Sequence, residues 1–384
     1  MESQVLKVGF SAFVLQGGRT GVAAYVCALL QHLAKREGLT GEVLVPRCDA
    51  GVIPALPPSW RVVPFPSLWA RPICSIFWHN TVLPVLARRR HYDLVHVPSY
   101  RRIPLLKGVP TVATVHDLAT FHIEGKYDRA RMCFNRRLVP SMVRRADRVI
   151  AVSRFTRADI VRLIRYPAER LTVIYNGIDT ERFHPLEPQA ARQRVRERFG
   201  VEGPFIVYVS RLEHPAKNHV RLIRAFAAWK GRSGSPAKLV LPGSDWNGAA
   251  SIRAAAAASP CAQDIVLPGF VAGEDLPHLY SACSLMVYPS LFEGFGFPIL
   301  EALACGARVV CSNTSSMGEL AGEVVPTFDP EREDAILAAI ERALAQPPDP
   351  DAARRAVDYA RGFTWEDAAR QVHEVYRAVV AGKG

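Results

Sequence analysis

The sequence contains no uninterrupted apolar run that approaches the roughly 18 residues of a membrane-spanning helix. The stretch MESQVLKVGFSAFVLQGG also lacks a basic region followed by a long apolar segment, so it does not resemble a signal peptide. It is more typical of a first strand that leads into a glycine loop. From these two absences we expect a cytoplasmic protein.

Cysteine pairs at metal-binding spacing are also missing. None of the eight cysteines forms a Cys-x-x-Cys pair, and the closest two, Cys305 and Cys311, have no second pair to complete a zinc site. Four of the cysteines have mostly apolar neighbours in the sequence: Cys27, Cys74, Cys283 and Cys305. We therefore expect buried, reduced thiols rather than disulfides or metal ligands.

Acidic residues are scarce in the first half of the chain. Residues 1–185 contain 27 Lys and Arg against 13 Asp and Glu, whereas the remainder contains 21 against 23. The whole excess of positive charge lies in the first half, which indicates an anionic partner for that half. We expect no nucleic acid there, because the sequence has neither a basic strand interleaved with aromatic residues nor a helix-turn-helix signature.

The chain is long enough for two hydrophobic cores. Of its 384 residues, 49% are hydrophobic and 22% are charged, which is typical of a globular protein. Strand-like and helix-like segments alternate, which predicts parallel sheets covered on both faces. The predicted strands are VLKVGFSAFV, YDLVHVPS, VPTVATVHD and RVIAVS, followed by PFIVYVSRL, AKLVLPGS, DIVLPGF, SLMVYPS and GARVVCS. Residues 176–188, rich in turn formers, are the predicted linker between two doubly wound α/β domains.

Two carboxylates flank a glycine-aromatic loop in LFEGFGFPILEALACG. Because SLMVYPS is a predicted strand, Glu293 lies at its carboxyl end and Glu301 lies one turn into the next helix, which Pro298 is suited to begin. Gly294 and Gly296 allow the backbone to approach a ligand closely. The acids could bind two hydroxyl-bearing parts of one ligand, such as two sugar rings. Alternatively, they are acids at a helix N-terminus, where negative charge is favourable.

Other strand ends carry candidate ligand contacts. Arg211 ends the strand of VSRLEHPAKNHV, and Lys217 lies in the loop before the next helix, which suits a diphosphate. Either cation alone is commonly a solvated surface charge. LQGGRTGVAAYV places glycines between a strand and a helix, but it is not the G-x-G-x-x-G dinucleotide motif. His116 ends the strand of TVATVHD, either as a structural histidine or as a group that faces a ligand.

Together these segments resemble one family. EGFGFPILE at 293–301, SRLEHPAKN, VHD, VSRFTRADI, VIYNGID and FTW are similar to motifs of the retaining GT-B fold glycosyltransferases of family 4, also called group 1. The resemblance extends in order over nearly the whole chain. It implies two Rossmann-like domains that face a central cleft. Residues 1–183 would form the acceptor domain, to which the C-terminal helix 364–384 returns, and residues 184–363 the nucleotide-sugar donor domain.

The resemblance also implies roles for single residues. By motif position, Glu293 would contact the hydroxyls of the donor sugar, and Arg211 and Lys217 would hold the leaving diphosphate. His116 would contact the transferred sugar. Gly21 would lie near the phosphates, and Phe270 and Val271 would contact the base. Backbone groups of Phe295, Gly296 and Phe297 would line the sugar and phosphate, and Glu301 would contact the ribose. Thr20-Gly21 departs from the Gly-Gly or Ser-Gly step that relatives often carry.

The donor and the mechanism follow from the same resemblance. No Asp-x-Asp motif lies where it could hold a divalent ion on a diphosphate, which favours transfer without a metal and without any cofactor beyond the nucleotide-diphosphate sugar. SNTSSMGEL resembles the Ser-Ser-x-x-Glu pattern of bacterial mannosyltransferases of polysaccharide assembly, which favours GDP-mannose. A UDP-sugar donor, a sugar-nucleotide epimerase of the same fold and a non-catalytic nucleotide-sugar-binding protein are alternatives.

Two basic segments of the first half carry apolar side chains. FPSLWARPICSIFWHNTVLPVLARRRHY contains Trp69, Ile73, Phe77 and Trp78 before Arg88, Arg89 and Arg90, and KYDRARMCFNRRLVPSMVRRADR contains Met132, Phe134, Leu138 and Met142. Such segments suit an anionic bilayer surface, which predicts a peripheral position at the inner face of the cell membrane and a lipid-linked or other glycan acceptor. Alternatively, both are amphipathic helices whose apolar faces pack on the sheet.

Overall fold

The structure is a computed structural model that describes residues 5–106, 108–123 and 129–382. It divides into two compact units. Unit 1 consists of Met1–Gly177 with Thr364–Gly384, and unit 2 consists of Ile178–Phe363.

Unit 1 contains a parallel sheet of seven strands in the order β3-β2-β1-β4-β5-β6-β7. The strands are β1 Leu6–Ser11, β2 Leu39–Pro46, β3 Trp60–Phe65, β4 Leu94–Val97, β5 Thr111–Val115, β6 Arg148–Ala151 and β7 Leu171–Val173. Every residue of β4 and β5 is buried, as expected for central strands that are covered on both faces. The strand order reverses between β1 and β4, which marks the switch point of a doubly wound sheet.

The helices of unit 1 cover both faces of this sheet. They are α1 Gly21–Leu33, α2 Pro72–Arg89, α3 Ala119–His122, α4 Arg129–Arg137, α5 Val139–Val143 and α6 Arg154–Asp159, together with α15 Trp365–Ala381 from the C-terminal end. Ser153 caps α6 as the sequence predicted, because its Oγ accepts a hydrogen bond of 3.0 Å from the Thr156 N–H. Residues 160–164 continue α6 as one π-helical turn.

Unit 2 repeats the architecture with six parallel strands in the order β10-β9-β8-β11-β12-β13. The strands are β8 Phe205–Val207, β9 Lys238–Val240, β10 Ile265–Val266, β11 Leu285–Tyr288, β12 Val309–Ser312 and β13 Thr327–Phe328. The helices are α7 Pro188–Phe199, α8 His219–Ser233, α9 Ala249–Ala257, α10 Leu276–Ala282, α11 Phe297–Ala304, α12 Ser315–Ala321, α13 Glu333–Ala345 and α14 Pro350–Arg361. Here the strand order reverses between β8 and β11.

The C-terminal helix returns to the first unit. The Trp365 ring lies 5.8 Å from the Tyr25 ring of α1, and the Tyr376 hydroxyl lies 2.6 Å from His96 Nδ1 of β4. The apolar side of α15, including Val372 and Val379, is buried. The predicted fold class, two doubly wound α/β domains with a returning C-terminal helix, is therefore confirmed.

Four strands were not predicted from the sequence: β2, β3, β7 and β13. β2 contains Gly41 and Glu42, which interrupt its apolar pattern. A Cβ on Gly41 would lie 2.7 Å from the Trp60 ring and from the Val8 carbonyl oxygen, and Glu42 is buried as the acceptor of a 2.5 Å hydrogen bond from the Tyr92 hydroxyl. The other three are edge strands, two of them only two or three residues long.

The prediction of buried thiols is wrong for two cysteines. Cys48 and Cys133 are exposed, because Cys48 lies in the turn that follows β2 and Cys133 lies on the outer side of α4. Cys27, Cys74 and Cys283 are half-buried, whereas Cys261, Cys305 and Cys311 are buried.

Candidate functional site

The main candidate site lies at the carboxyl ends of β8 and β11, where the strand order of unit 2 reverses. Arg211 and Lys217 follow β8, and Glu293 follows β11. Ligands of doubly wound sheets bind at such a switch point because the loops there diverge and leave a crevice. We call Arg211, Lys217, Glu293 and the loop 295–297 the β8–β11 site.

A hydrogen-bond cluster fixes one carboxylate oxygen of Glu293. Its Oε1 accepts from Lys217 Nζ at 2.5 Å, from the Tyr288 hydroxyl at 2.8 Å and from Ser290 Oγ at 2.9 Å. No side chain in the described ranges donates to its Oε2. The carboxylate is therefore held in place while one of its oxygens stays available to a ligand hydroxyl.

This cluster also sets the ionisation of Glu293. Burial alone would raise the pKa of its carboxyl, but the Lys217 charge and the hydrogen bonds from Lys217, Tyr288 and Ser290 hold the pKa below its ordinary value. Glu293 is therefore ionised at neutral pH. Burial and the nearby Glu293 charge raise the pKa of Tyr288 well above its ordinary value, so this hydroxyl stays protonated and donates.

Two serines support the loop that begins at Glu293. The Glu293 N–H donates to Ser315 Oγ at 3.0 Å, and Ser316 Oγ donates to the carbonyl oxygens of Glu293 and Phe295 at 3.0 and 2.8 Å. Both serines belong to SNTSSMGEL, the segment whose pattern favoured GDP-mannose as the donor. The position of this segment directly after β12, the strand beside β11, could have indicated that its hydroxyls reach this loop.

The loop ends in a helix start that requires glycine. Gly296 has a φ of +105° and precedes α11, a conformation that strains any residue with a Cβ. Pro298 lies in the first turn of α11, as predicted from the sequence. The N-terminus of α11 therefore follows Glu293 after the short loop 294–296 and carries the partial positive charge of a helix start.

Arg211 is held by a carboxylate and by an indole ring. Its Nη2 lies 3.2 Å from Glu213 Oε2, and its Cζ lies 4.6 Å from the centre of the Trp246 ring. The Trp246 loop is joined to the strand exit, because the Leu212 N–H donates to the Ser244 carbonyl at 3.0 Å. Trp246 was missed by sequence analysis, although it follows β9 at the same edge of the sheet.

Glu301 lies apart from the hydrogen-bond cluster of Glu293. It accepts a 3.0 Å hydrogen bond from the Tyr280 hydroxyl. Burial raises the pKa of its carboxyl to about 7, which the Tyr280 hydrogen bond and the Arg182 charge offset only in part. Near neutral pH this carboxyl can therefore donate or accept a hydrogen bond.

The two residues proposed to contact the base follow β10. Phe270 is 62% exposed and Val271 is buried. The loop 267–272 is tied to the loop after β9, because the Gly243 N–H donates to the Gly269 carbonyl at 2.8 Å. Both residues therefore belong to the row of loops that starts at Arg211.

In unit 1, His116 is placed by an aromatic contact. Its ring lies 4.6 Å from the Tyr25 ring in an edge-on arrangement, and its Nε2 is buried without a hydrogen-bond partner in the described structure. Burial lowers the pKa of His116 to about 4 although Asp117 and the Pro98 carbonyl oppose this shift. The imidazole is therefore neutral at pH 7, with one unsatisfied nitrogen that a ligand could contact.

A buried polar network lies next to His116 and was missed by sequence analysis. The Tyr25 hydroxyl lies 3.0 Å from Thr114 Oγ1, which lies 2.8 Å from His96 Nε2, and His96 Nδ1 lies 2.6 Å from the Tyr376 hydroxyl. These four residues, which we call the His96 network, join α1, β5, β4 and α15. The network fixes Tyr25, whose ring contacts His116.

Gly21, the predicted phosphate-proximal residue, is the first residue of α1. Thr20 precedes it as the N-cap, and Thr20 Oγ1 accepts a 3.1 Å hydrogen bond from the Ala23 N–H. Gly21 and the preceding segment 16–19 are exposed at the carboxyl end of β1, where a ligand could approach the helix start.

The structure separates the apolar side chains of the two basic segments. Trp78 and Met142 lie in the cores of unit 1, so their assignment to a membrane-facing surface is wrong. Ile73, Phe77 and Leu138 are 83%, 59% and 56% exposed. Phe77 and Trp78 are adjacent in α2, yet Phe77 is exposed and Trp78 is buried. The helix therefore carries apolar side chains on both its core side and its outer side. Across the described ranges, no helix is long and apolar enough to cross a membrane.

Comparison with known proteins assigns both units. Residues 190–363 match the family model "Glycosyl transferases group 1", and residues 19–182 match "Glycosyltransferase Family 4". The O-antigen chain mannosyltransferase B of Escherichia coli is 30% identical over 268 residues, which is 69% of this chain and 70% of the relative. Sucrose-phosphate synthase from Thermosynechococcus elongatus superposes with a TM-score of 0.77 at 21% identity over 98% of this chain and 100% of the other. Anabaena HepE in complex with UDP and glucose superposes with a TM-score of 0.73 at 22% identity over 97% and 100%. The chain belongs to the group 1 glycosyltransferases of family 4 and has their GT-B fold.

Proposed function

We propose that this protein is a cytoplasmic, retaining hexosyltransferase that transfers mannose from GDP-mannose to a glycan or lipid-linked acceptor without a divalent metal. The observation that carries the proposal is the Lys217–Glu293 pair at the strand switch of unit 2, because it offers a fixed cation and an open carboxylate oxygen side by side. Glu293 Oε2 would accept from a hydroxyl of the donor sugar.

The diphosphate would be held by Lys217 and Arg211. The Lys217 ammonium has three N–H donors and uses one on Glu293, so the other two can reach phosphate oxygens. Arg211 adds a planar donor group and the start of α11 adds backbone N–H groups. Together these groups would stabilise the negative charge that develops on the leaving diphosphate, which is the task that a metal ion performs in other transferases.

The proposed chemistry needs no enzyme nucleophile. The acceptor hydroxyl would attack C1 of the sugar from the face on which the C1–O bond to the diphosphate breaks. The bonding electrons would pass to the phosphate oxygen, which would also take the acceptor proton. The products would be GDP and a mannoside with the anomeric configuration of the donor. Neutral His116, with its unsatisfied Nε2, would contact the sugar, Glu301 the ribose, and Phe270 and Val271 the base.

Transfer assays with a donor panel test this proposal. GDP-mannose should yield a mannosylated acceptor and release GDP, and it should raise the melting temperature more than UDP-glucose does. The similarity to the O-antigen chain mannosyltransferase B supports mannose. If only UDP-sugars raise the melting temperature and are turned over, the donor is a UDP-sugar rather than GDP-mannose. UDP-glucose, which is bound in a structure of HepE, belongs to that class. Isomerised donor in the absence of acceptor would instead indicate an epimerase.

We further propose that the outer side of α2 binds an anionic membrane surface and so brings the site to a lipid-linked acceptor. Exposed positions follow one another at helical spacing from Ile73 and Phe77 to Thr81 and Val85, and they end at the arginines 88–90. Leu105 lies beside this row, because its N–H donates to Asn80 Oδ1 at 2.9 Å. Residues 61–106 contain a single acid, Asp93, against seven arginines. Each basic residue near an anionic membrane contributes roughly 1 kcal/mol of electrostatic attraction, so a few such arginines would suffice for reversible binding.

Sedimentation with anionic vesicles at low and high salt tests the membrane proposal. The wild type should sediment at low salt and be released at high salt. Replacing Ile73 and Phe77 by Glu should abolish binding, whereas Val161→Glu, an exposed apolar position on another helical segment, should not. If the wild type does not bind the vesicles even at low salt, the membrane proposal is wrong and a soluble acceptor is favoured.

A further inference from the structure

A polar pocket lies in unit 1, between the end of α1 and the outer side of α15. Its volume is about 490 Å³, and it is lined by residues 35–37 and by Arg370, His373, Glu374 and Arg377. The Leu6 N–H donates to the Gly38 carbonyl at 2.9 Å, so this end of α1 lies beside the start of β1. Gly21 and His116 lie at the opposite edge of the sheet, about 20 Å away along a 13-residue helix. The pocket is therefore separate from the candidate sites described above.

The pocket carries more positive charge than its own acids neutralise. Arg370 forms ion pairs of 2.6 Å with both Asp367 and Glu374. Arg36 and Arg377 form no ion pair with any described residue, and Arg36 Nε is buried without a hydrogen-bond acceptor. A buried guanidinium N–H without an acceptor is unfavourable, so an anion that supplied one would be bound favourably.

His373 adds a third possible hydrogen-bond donor to the pocket, beside the guanidinium groups of Arg36 and Arg377. The residue is only 4% exposed, and its Nε2 is buried without a partner among the described residues. A Cβ on Gly38 would lie 3.6 Å from Arg377 Nη2 and 4.0 Å from His373 Cε1, so both side chains reach the backbone of Gly38. Gly38 itself has a φ of +77°, a backbone conformation that favours glycine.

We infer that this pocket binds a phosphate group through Arg36, His373 and Arg377. Two guanidinium groups present planar pairs of N–H donors that match phosphate oxygens, and the neutral imidazole can donate one more hydrogen bond. The phosphate can belong to a small soluble molecule or to a lipid headgroup. Because α1 carries Tyr25 and α15 carries Tyr376, an anion in the pocket would also join the two helices that hold the His96 network.

Titration of the protein with pyrophosphate tests the inference. The wild type should bind one pyrophosphate at this pocket in addition to one at the β8–β11 site. Arg211→Ala should keep the site in the pocket with unchanged affinity, because Arg211 lies in unit 2. Arg377→Ala and Arg36→Ala should each weaken this binding at least tenfold. Arg232→Ala, which removes an exposed arginine paired with Glu341, is the matched control and should bind like the wild type. Because Arg377 is exposed, its variant should fold, and an unchanged melting temperature without ligand would verify this.

The same variants distinguish the source of the phosphate. Binding to phosphatidic acid vesicles but not to pyrophosphate, lost in Arg377→Ala, would indicate a lipid headgroup. Binding to pyrophosphate that depends on Arg36 and Arg377 would indicate a soluble ligand. Pyrophosphate binding that is lost in Arg211→Ala but kept in Arg377→Ala, or no binding in either arm, would overturn the inference. Pyrophosphate held only through Arg211 would at the same time support the diphosphate assignment of the proposed function, so failure of this inference and failure of that function are distinguishable.

Discussion

Lys217 Nζ and Glu293 Oε1 lie 2.5 Å apart and join two loops that are separated by 76 residues of sequence. The two side chains are only 14% and 15% exposed. Removal of one partner from such a pair leaves the other charge largely buried and unpaired, which is costly. The pair thus fixes both loops at the strand switch.

Lys217→Met should lower kcat for sugar transfer by about 10²-fold or more, the effect expected for loss of one preorganised charge at the leaving group. It should also raise the pKa of Glu293, whose ionised form Lys217 favours. Steady-state kinetics with the donor measures the first effect. Lys230→Met is the matched control, because Lys230 pairs with Asp264 at 2.8 Å with similar burial on α8. It should lose comparable stability and keep its kcat; equal kcat losses in both variants would refute a catalytic role for Lys217.

Arg211→Ala should reduce kcat by about 10²-fold or more for the same reason. Trp246→Ala should have a smaller effect in the same direction, because it removes only the ring that orients the guanidinium 4.6 Å away. Trp246→Phe should restore most of the activity. Kinetics of the three variants against Arg232→Ala would check this, and wild-type parameters in Arg211→Ala would contradict the diphosphate assignment.

Glu301 should make stability fall as the pH rises. Its pKa is about 7 in the folded state against 4.5 for an unperturbed Glu, so the folded state holds a proton between these values that the unfolded state has lost. Its contribution is fully present below pH 4.5 and is lost as the pH rises through 7. Glu301→Gln should therefore be more stable relative to the wild type at pH 8 than at pH 5. Denaturant titrations at both pH values measure this difference, and a pH-independent difference would disprove the raised pKa.

His96 should have the opposite effect. Burial lowers its pKa to about 3 from 6.5, so between these values only the unfolded state binds the proton, and stability is lost as the pH falls below 6.5. His96→Asn should reduce the slope of unfolding free energy against pH in this range by up to about 1.4 kcal/mol per pH unit. An unchanged slope in His96→Asn would show that His96 titrates normally in the folded protein.

Local sequence patterns predicted the parts of the fold that depend on local physics. Buried β-branched runs predicted the central strands, and Ser153 and Pro298 predicted helix starts, because these signals act within a few residues. The same patterns placed Arg211, Lys217 and Glu293 at strand ends. Because parallel strands end at one edge of the sheet, their convergence could be expected from the sequence.

Long-range pairing could not be predicted in this way. The His96–Tyr376 hydrogen bond joins positions 280 residues apart, and no local period indicates it. The same applies to Ser315, whose hydroxyl meets the Glu293 loop only because β12 lies beside β11. The periodicity of α2 likewise did not show that Trp78 faces the core while Phe77 faces outward, since both sides of this helix are apolar.

Calorimetric titration with GDP, the nucleotide part of the proposed donor, tests the central claim most directly. We expect one GDP to bind per chain in metal-free buffer. The dissociation constant should rise about tenfold to 10²-fold in Arg211→Ala and in Lys217→Met, since a charge-assisted hydrogen bond contributes about 1.5–3 kcal/mol. Lys230→Met and Arg232→Ala should bind like the wild type. Equal GDP affinity in all five proteins, or binding that requires added magnesium or manganese, would contradict the central claim.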